Sequence, residues 1–257
     1  MKSFTLVSRP DTKSAAIAET IRKELIQNGF PENQIQPEEV IVVGGDGTFL
    51  HAVHRYMPIL NQTAFIGIHT GTLGFFMDYP ESEVEALIDD ILADHFPVET
   101  HPIMEAKVDS NTIYAVNEIR IENPRRTQDI DIALNGSPFE RFRGSGVCVC
   151  SQLGSSAFNR SLGGAVLQNG LPLFEIAEMA GIHHHEYRSL GAPFVISDDT
   201  EIRLSSSDFH GAILGSDSEV MDLKDGHEII IQKSKDKNLR ILRGKKITYF
   251  ERLERLF

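Results

Sequence analysis

The run Glu39-Val40-Ile41-Val42-Val43 reads as a buried strand, and it ends in Gly44-Gly45-Asp46-Gly47-Thr48. Residues Phe49 to Tyr56 follow with the apolar spacing of a helix. Glycine lets the backbone come close to a ligand, and the N–H groups of a helix start favour an anion. A carboxylate held at such a turn can accept a proton or help hold a metal. The stretch therefore reads as a phosphate site with a candidate base, Asp46, inside it. The same residues also fit a plain strand-to-helix turn with Asp46 as N-cap. No Lys-Ser/Thr pair follows, so this is not a P-loop, and it is not the GxGxxG dinucleotide fingerprint either.

The first ~95 residues alternate strand and helix, the pattern of an α/β domain with a parallel sheet. Phe4 to Ser8 reads as a strand, and Asp11 to Asn28 as a helix with Ala15, Ala18, Ile21 and Leu25 on one face and Gly29 as its stop. Ala64 to Ile68 is the third strand, ending in a second glycine-rich turn, His69-Thr70-Gly71-Thr72-Leu73-Gly74-Phe75. Both glycine turns lie at carboxyl ends of strands, where open parallel sheets bind ligands. Glu81 to Ala93 reads as a helix through Val84, Leu87, Ile88, Ile91 and Leu92.

The character changes near Pro97, and the chain divides as 1–98, 99–244 and a tail helix 245–257 that folds back. The middle part is mostly β and sandwich-like. Ile113 to Ile121 alternates as one strand, and Asp129 to Leu134 followed by Asn135-Gly136 is a hairpin signal. Gly146 to Cys150, Pro193 to Ser197, Glu201 to Ser205 and Glu228 to Gln232 read as further strands, with one helix over Leu171 to Gly181. In the tail, Ile247, Phe250, Leu253 and Phe257 stand at helical spacing.

Length and composition allow this plan: 257 residues, 41% hydrophobic, give one large domain or two small ones. A net charge of −12 argues against a nucleic-acid partner bound through phosphates, though not against a local pocket for a nucleotide. Cys148 and Cys150 point the same way from one strand, so they read as buried thiols rather than a disulfide or zinc pair, and a cytosolic protein is expected. No apolar run reaches the roughly 18 residues of a membrane span, and the opening residues show no signal peptide.

The β-rich part has its own unusual stretches. Gly144-Ser145-Gly146 and Gly154 to Ala165 combine small residues and hydroxyls with one ring, Phe158, as a loop that packs on a flat ligand would, or as a sheet corner would. Asn117-Glu118 interrupts an apolar strand; an inward amide or carboxylate needs partners, which a ribose could supply, whereas an edge strand would leave them wet. His183-His184-His185 cannot easily converge on one ion from one regular element and reads as a loop, so no metal-ligating residue is assigned.

Taken together, these segments resemble the NAD kinases. GGDGT at 44–48 alone is shared with the phosphofructokinase and diacylglycerol kinase groups. Phe65 to Gly71 with Leu73-Gly74-Phe75, then Asn117-Glu118, Phe139 to Gly144, Ala157 to Gly164 and Leu190 to Pro193 narrow it, in the family's order, to the short bacterial enzymes. The resemblance implies transfer of the terminal phosphoryl of ATP, or of polyphosphate, to the adenosine-ribose 2′-hydroxyl of NAD, giving NADP. It further implies a divalent ion, usually magnesium, NAD at a domain junction, and a homotetramer whose subunit contacts complete the site.

Carried over residue by residue, the resemblance makes Asp46 the base that takes or orients the 2′-hydroxyl proton. Gly45 and Gly47 lie in the phosphate cradle, and Leu50 and Phe75 line the apolar part. Asn117 and Glu118 bond ribose and adenine. Ser156, Ala157, Phe158 and Ser161 line the ring pockets, Ala180 and Ile182 lie near the nicotinamide, and Asp217 near the sugar-phosphate. Arg143 reaches a phosphate across a subunit boundary. The chain departs from the family's pattern where Ser145 stands for the usual aspartate, Ser151-Gln152-Leu153-Gly154 for Thr-Pro-Thr/Ser-Gly, Phe158 for a tyrosine, and Ser218 for the Gly or His after Asp217. Those departures motivate an alternative, a catalytically weakened NAD(P)-binding regulator on the same fold. A lipid kinase of the same superfamily is a third reading, against which the absence of a basic amphipathic helix counts.

Overall fold

The structure, a computed structural model, describes residues 2–71, 74–182, 186–224, 227–244 and 248–254. The chain divides into two compact units: residues up to His101 together with those from Lys237 onward, and Pro102–Asp236.

The first unit is a parallel sheet covered by helices. Strand β1 (Phe4–Ser8) precedes helix α1 (Thr12–Gln27), β2 (Glu39–Gly44), α2 (Asp46–Arg55), β3 (Ala64–His69), β4 (Tyr79–Pro80) and α3 (Val84–Ala93). β1 pairs with β2, β2 with β3, and β3 with β4, all in parallel. Every residue of β2 is buried, as expected of a strand covered on both faces. Asp11 caps α1, its carboxylate accepting the Ser14 N–H at 2.9 Å, and Gly29 ends it at φ 84°. The buried face of α1 is Ser14, Ala18, Ile21 and Leu25, and Ala15 is exposed. Ser14 takes the inner position because its hydroxyl bonds both Asp11 and Thr70. Asp46 is not the N-cap of α2: Gly45 is, and Asp46 is the first helical residue.

Residues 237–244, expected in the β-rich part, belong to the first unit, because Arg240 and Ile241 pair in parallel with Ala64 and Phe65. The helix Tyr249–Glu254 lies in this unit too. Its buried residue is Arg252, while Phe250 is 65% exposed and Leu253 half-buried. Ile247 and Phe257 lie outside the described residues, as do Thr72, Leu73 and His183-His184-His185.

The second unit is β-rich. Its strands are β5 (Val98–Val108, which begins in the first unit), β6 (Asn111–Ala115), β7 (Glu118–Glu122), β8 (Gln128–Leu134), β9 (Ser137–Gly144), β10 (Gly146–Ser151), β11 (Leu173–Met179), β12 (Phe194–Ser197), β13 (Ile202–Ser205), β14 (Ile213–Ser216), β15 (Glu219–Asp222) and β16 (Glu228–Leu242, which ends in the first unit). One antiparallel sheet runs β12-β11-β10-β7-β14-β15. In the other, β13 pairs with β16 and β8, and β8 with β9. Side chains from both sheets, among them Ile119, Val149, Phe142 and Ile231, form one core. The β8–β9 hairpin turns at Asn135 and Gly136 with φ of 49° and 77°, the left-handed pair that Asn-Gly favours.

Three expectations fail here. Within residues 171–181 the chain forms a strand, β11, not a helix: Phe174-Glu175-Ile176-Ala177 is buried and the strand pairs with β10 and β12, so the helix-favouring residues yield to the ladder. Residues 113–121 are two strands: β6 pairs with β5, whereas β7 pairs with β10 and β14, and the chain breaks between them at Val116-Asn117. β16 runs fifteen residues rather than ending at Gln232. Cys148 and Cys150 are free and buried, and burial pushes both thiols well above their usual range. No described helix is long and apolar enough to cross a membrane.

Candidate active site

In the first unit, Asp46 projects from the first turn of α2 onto the backbone of the second glycine turn. The Phe75 N–H donates to Oδ2 at 2.7 Å and the Phe76 N–H to Oδ1 at 3.0 Å. Gly74 makes this approach possible, since a Cβ there would lie 2.1 Å from Oδ1. Aromatic packing fixes the turn from beneath: the Phe76 ring stacks on Phe49 of α2 at 4.8 Å, and Phe75 meets Phe76 edge-on. Such pairs are worth ~0.5–1.5 kcal/mol beyond their burial. Burial raises the Asp46 carboxyl above its usual range; the two amides and then Arg243 oppose this. A raised carboxylate is a stronger proton acceptor.

The glycines of the first turn act by space rather than by unusual dihedrals. Gly45 is extended at φ −137°, and nothing lies within 4 Å of where a Cβ would stand at Gly45 or Gly47. Gly44 differs, because a Cβ there would meet Thr48 Oγ1 at 2.4 Å. Leu50 and Phe75 are buried.

In the second unit, Asp217 sits in a tight left-handed turn at φ 51° between β14 and β15. Its carboxylate accepts the N–H groups of Val116 at 2.9 Å, Asn117 at 2.7 Å and Glu118 at 3.3 Å. Its own N–H donates to the Glu118 carbonyl, and its carbonyl accepts from Arg120 Nη1 at 3.0 Å. The break between β6 and β7 is thus closed onto one carboxylate. It leaves Asn117 and Glu118 both buried, Asn117 in the break and Glu118 at the start of β7, a strand flanked by two others rather than a wet edge. Asn117 Oδ1 and Glu118 Oε2 have no hydrogen-bond partner. Unpaired buried acceptors cost about 1–3 kcal/mol each, a cost that the donors of a ligand would remove. Burial, reinforced by Asp217 and opposed by Arg120, pushes the Glu118 carboxyl up to about 7.

The loop after β10 holds a short helix, α4 (Phe158–Ser161). Ser156 and Phe158 are half-buried, while Ala157 and Ser161 are exposed. The Arg120 guanidinium covers the Phe158 ring at 5.2 Å. Asn159 anchors the loop on the fully buried Glu175 of β11 at 2.8 Å, and Glu175 also accepts the Ala165 N–H. Ser145 is half-buried, its N–H donating to Met179. Ala180 is exposed in the left-handed region at φ 50°, and Ile182 is exposed with its N–H on the Arg143 carbonyl. Arg143 lies over the Tyr187 ring, bonds its hydroxyl and pairs with Asp129 at 3.3 Å.

Sequence reasoning placed Gly74 in a glycine-rich turn without foreseeing its contact with Asp46, and it missed Arg120, Glu175 and the clamping action of Asp217. Of those missed, Glu175 left a signal, a carboxylate within the apolar run Leu173-Phe174-Glu175-Ile176-Ala177. Among the described residues no group of three or more His, Cys, Asp or Glu side chains is placed to hold a metal.

Residues 6–96 match the ATP-NAD kinase N-terminal domain and residues 116–243 the ATP-NAD kinase C-terminal domain. The chain is 41% identical over 198 residues to an NAD kinase of Lysinibacillus sphaericus, covering 75% of each chain. It is 35% identical to an NAD kinase of Limosilactobacillus reuteri, covering 84% of this chain and 82% of the other. In fold it is similar to yeast NADH kinase complexed with NADH (TM-score 0.80, 19% identity, 100% and 86% covered). It is equally similar to an NAD kinase from Archaeoglobus fulgidus in complex with ATP (TM-score 0.80, 22% identity, 100% and 98% covered). The class is therefore that of the phosphotransferases. Within it, the chain belongs to the NAD kinase family.

Proposed function

We propose that this chain transfers the terminal phosphoryl group of ATP to the 2′-hydroxyl of the adenosine ribose of NAD, giving NADP. The ribose oxygen forms the new bond to phosphorus, its proton passes to Asp46, and the bond from phosphorus to the departing ADP oxygen breaks. The observation that carries this reading is Asp46 itself, a carboxylate held by two backbone amides and raised by burial, beside glycine positions with open space. Phosphoryl transfer rests mainly on such positioning and on charge stabilisation.

Gly45 and Gly47 then face phosphate, and Leu50 and Phe75 supply apolar surface. Asn117 and Glu118 offer their unpaired acceptors to ribose and adenine donors. Ser156, Ala157, Phe158 and Ser161 line the ring pockets, and Ser145, Ala180 and Ile182 the nicotinamide end. Asp217 works through the 116–118 turn that it clamps. Arg143 reaches a phosphate from a neighbouring subunit of a homotetramer, and the protein works in the cytoplasm. A divalent ion, magnesium by expectation, travels with the phosphates of the donor, since magnesium is commonly held by substrate phosphates plus one or two carboxylates. Polyphosphate is the second donor to test.

The regulator reading is not favoured, because the relatives at 41% and 35% identity are named as kinases and the Asp46 clamp is intact. The test is NADP formation from NAD across ATP and polyphosphate with several metals. Turnover that is lost in Asp46→Ala supports the proposal. Tight NAD binding without turnover under every condition contradicts it.

A further inference from the structure

Two residues beyond the amides that hold Asp46 stands a second carboxylate, Asp78, only 2% exposed. Its oxygens accept from Arg243 Nη1 at 3.1 Å, Arg252 Nη1 at 2.9 Å and the Gly244 N–H at 3.2 Å. Arg243 Nε also donates to Glu99 at 2.9 Å, and Arg252 Nη2 lies 3.9 Å from it. Both arginines are buried, at 4% and 6% exposed. On the other side of the turn, the Tyr249 ring meets Phe75 edge-on at 5.8 Å. A side chain at Gly244 has no room, since its Cβ would fall 1.5 Å from the Tyr79 hydroxyl. Arg243, Gly244 and Arg252 therefore hold the 75–78 turn at Asp78 and Tyr249 holds it at Phe75, and among the described residues this turn's Phe75 and Phe76 N–H groups are the amides bonded to Asp46.

We propose that Arg252 and Tyr249 are positioning residues for Asp46, acting through Asp78 and Phe75 on the turn that aims the base. This rests on the reading of Asp46 given above. A residue spans ~3.3–3.6 Å of chain, so Phe76 cannot stay fixed if Asp78 shifts freely. A misplacement of ~1 Å at reacting groups costs on the order of a hundredfold in rate. Asp78 is not among the groups assigned to NAD, so loss of Arg252 falls on kcat and not on KM. Tyr249 instead touches Phe75, which supplies apolar surface to NAD, and its loss lowers kcat and raises KM as well.

The test compares steady-state constants, per folded protein, for Arg252→Met, Arg252→Lys, Tyr249→Leu and the exposed control Glu254→Gln. Arg252→Met is expected to lower kcat about tenfold with KM for NAD within about twofold. Arg252→Lys restores most of the rate, because it keeps a charge on Asp78. Tyr249→Leu removes no charge, so it folds without an orphaned ion and still lowers kcat; Glu254→Gln changes neither constant. Unchanged kcat in both Arg252→Met and Tyr249→Leu, or kcat and KM moving together in Arg252→Met, overturns the inference. So does a loss that Lys does not rescue, or one that vanishes once assays are run well below each melting temperature. A wild-type chain without turnover overturns the reading of Asp46, and this inference with it.

Discussion

The Asp46 carboxylate occupies the space that a side chain at Gly74 would need: a Cβ there would fall 2.1 Å from Oδ1 and 2.5 Å from Oδ2. Gly74→Ala must therefore push the carboxylate off the Phe75 and Phe76 amides or bend the turn. Overpacking of this kind costs ~1–3 kcal/mol. A fall in kcat of about a hundredfold is expected with it, since the base loses its aim. Gly71→Ala is the control, because nothing lies within 4 Å of a Cβ there. Steady-state kinetics and urea melts of both variants check this; equal effects at the two positions would contradict the clamp.

Glu118 links pH to stability. Its carboxyl is raised from 4.5 to about 7 in the folded chain, so the folded state holds the proton more tightly than the unfolded one. The protonated form is the favoured one. Ionising it costs stability that is absent below about pH 4.5, grows as the pH rises, and is complete above about pH 7. Glu118→Gln removes that cost. Relative to wild type, the variant is expected to gain about 1–3 kcal/mol between about pH 5 and about pH 8. Denaturant midpoints at the two pH values measure it, and a pH-independent difference would show that Glu118 titrates normally.

Asp217 tests the turn that it closes. Asn keeps the left-handed backbone comfortable but replaces one acceptor oxygen with an NH2 group that cannot accept the Val116 or Asn117 N–H. Asp217→Asn is expected to lower stability by about 1–3 kcal/mol. NAD binding weakens about tenfold while kcat at saturation stays close to wild type, because the turn carries binding groups rather than the base. Calorimetric titration with NAD beside saturating kinetics separates the two. A collapse of kcat at unchanged affinity would place Asp217 in the chemistry instead.

Much of this arrangement was legible in the chain, and what was hidden has definite causes. The first unit declared itself because parallel strands buried on both faces read as continuous apolar runs, as at Val40 to Val43. The Asn135-Gly136 hairpin was legible because few residue pairs adopt its dihedrals. Leu173 to Met179 was misread because both faces of β11 are covered, which erased its alternation, and because its Leu, Glu, Ala and Met favour helices. The tail helix misled through Phe250, which is exposed, while the anchoring residue is a charged one, Arg252, whose partner Asp78 lies 174 residues away. Asp46 and Asn117-Glu118 stood out by local chemistry. Gly74 and Asp217 did not, because their work is to hold a group distant in sequence, which no local pattern encodes.

The central claim is that Asp46 lowers the barrier to transfer rather than holding NAD. Asp46→Asn preserves shape and keeps one of the two N–H bonds from Phe75 and Phe76, while its NH2 group accepts neither the other N–H nor a proton. Side-by-side measurement of NADP formation and of the NAD dissociation constant in this variant tests the claim most directly. Transfer is expected to be abolished while the dissociation constant stays within about tenfold of wild type. Retained transfer, or binding lost in proportion to rate, would contradict the account.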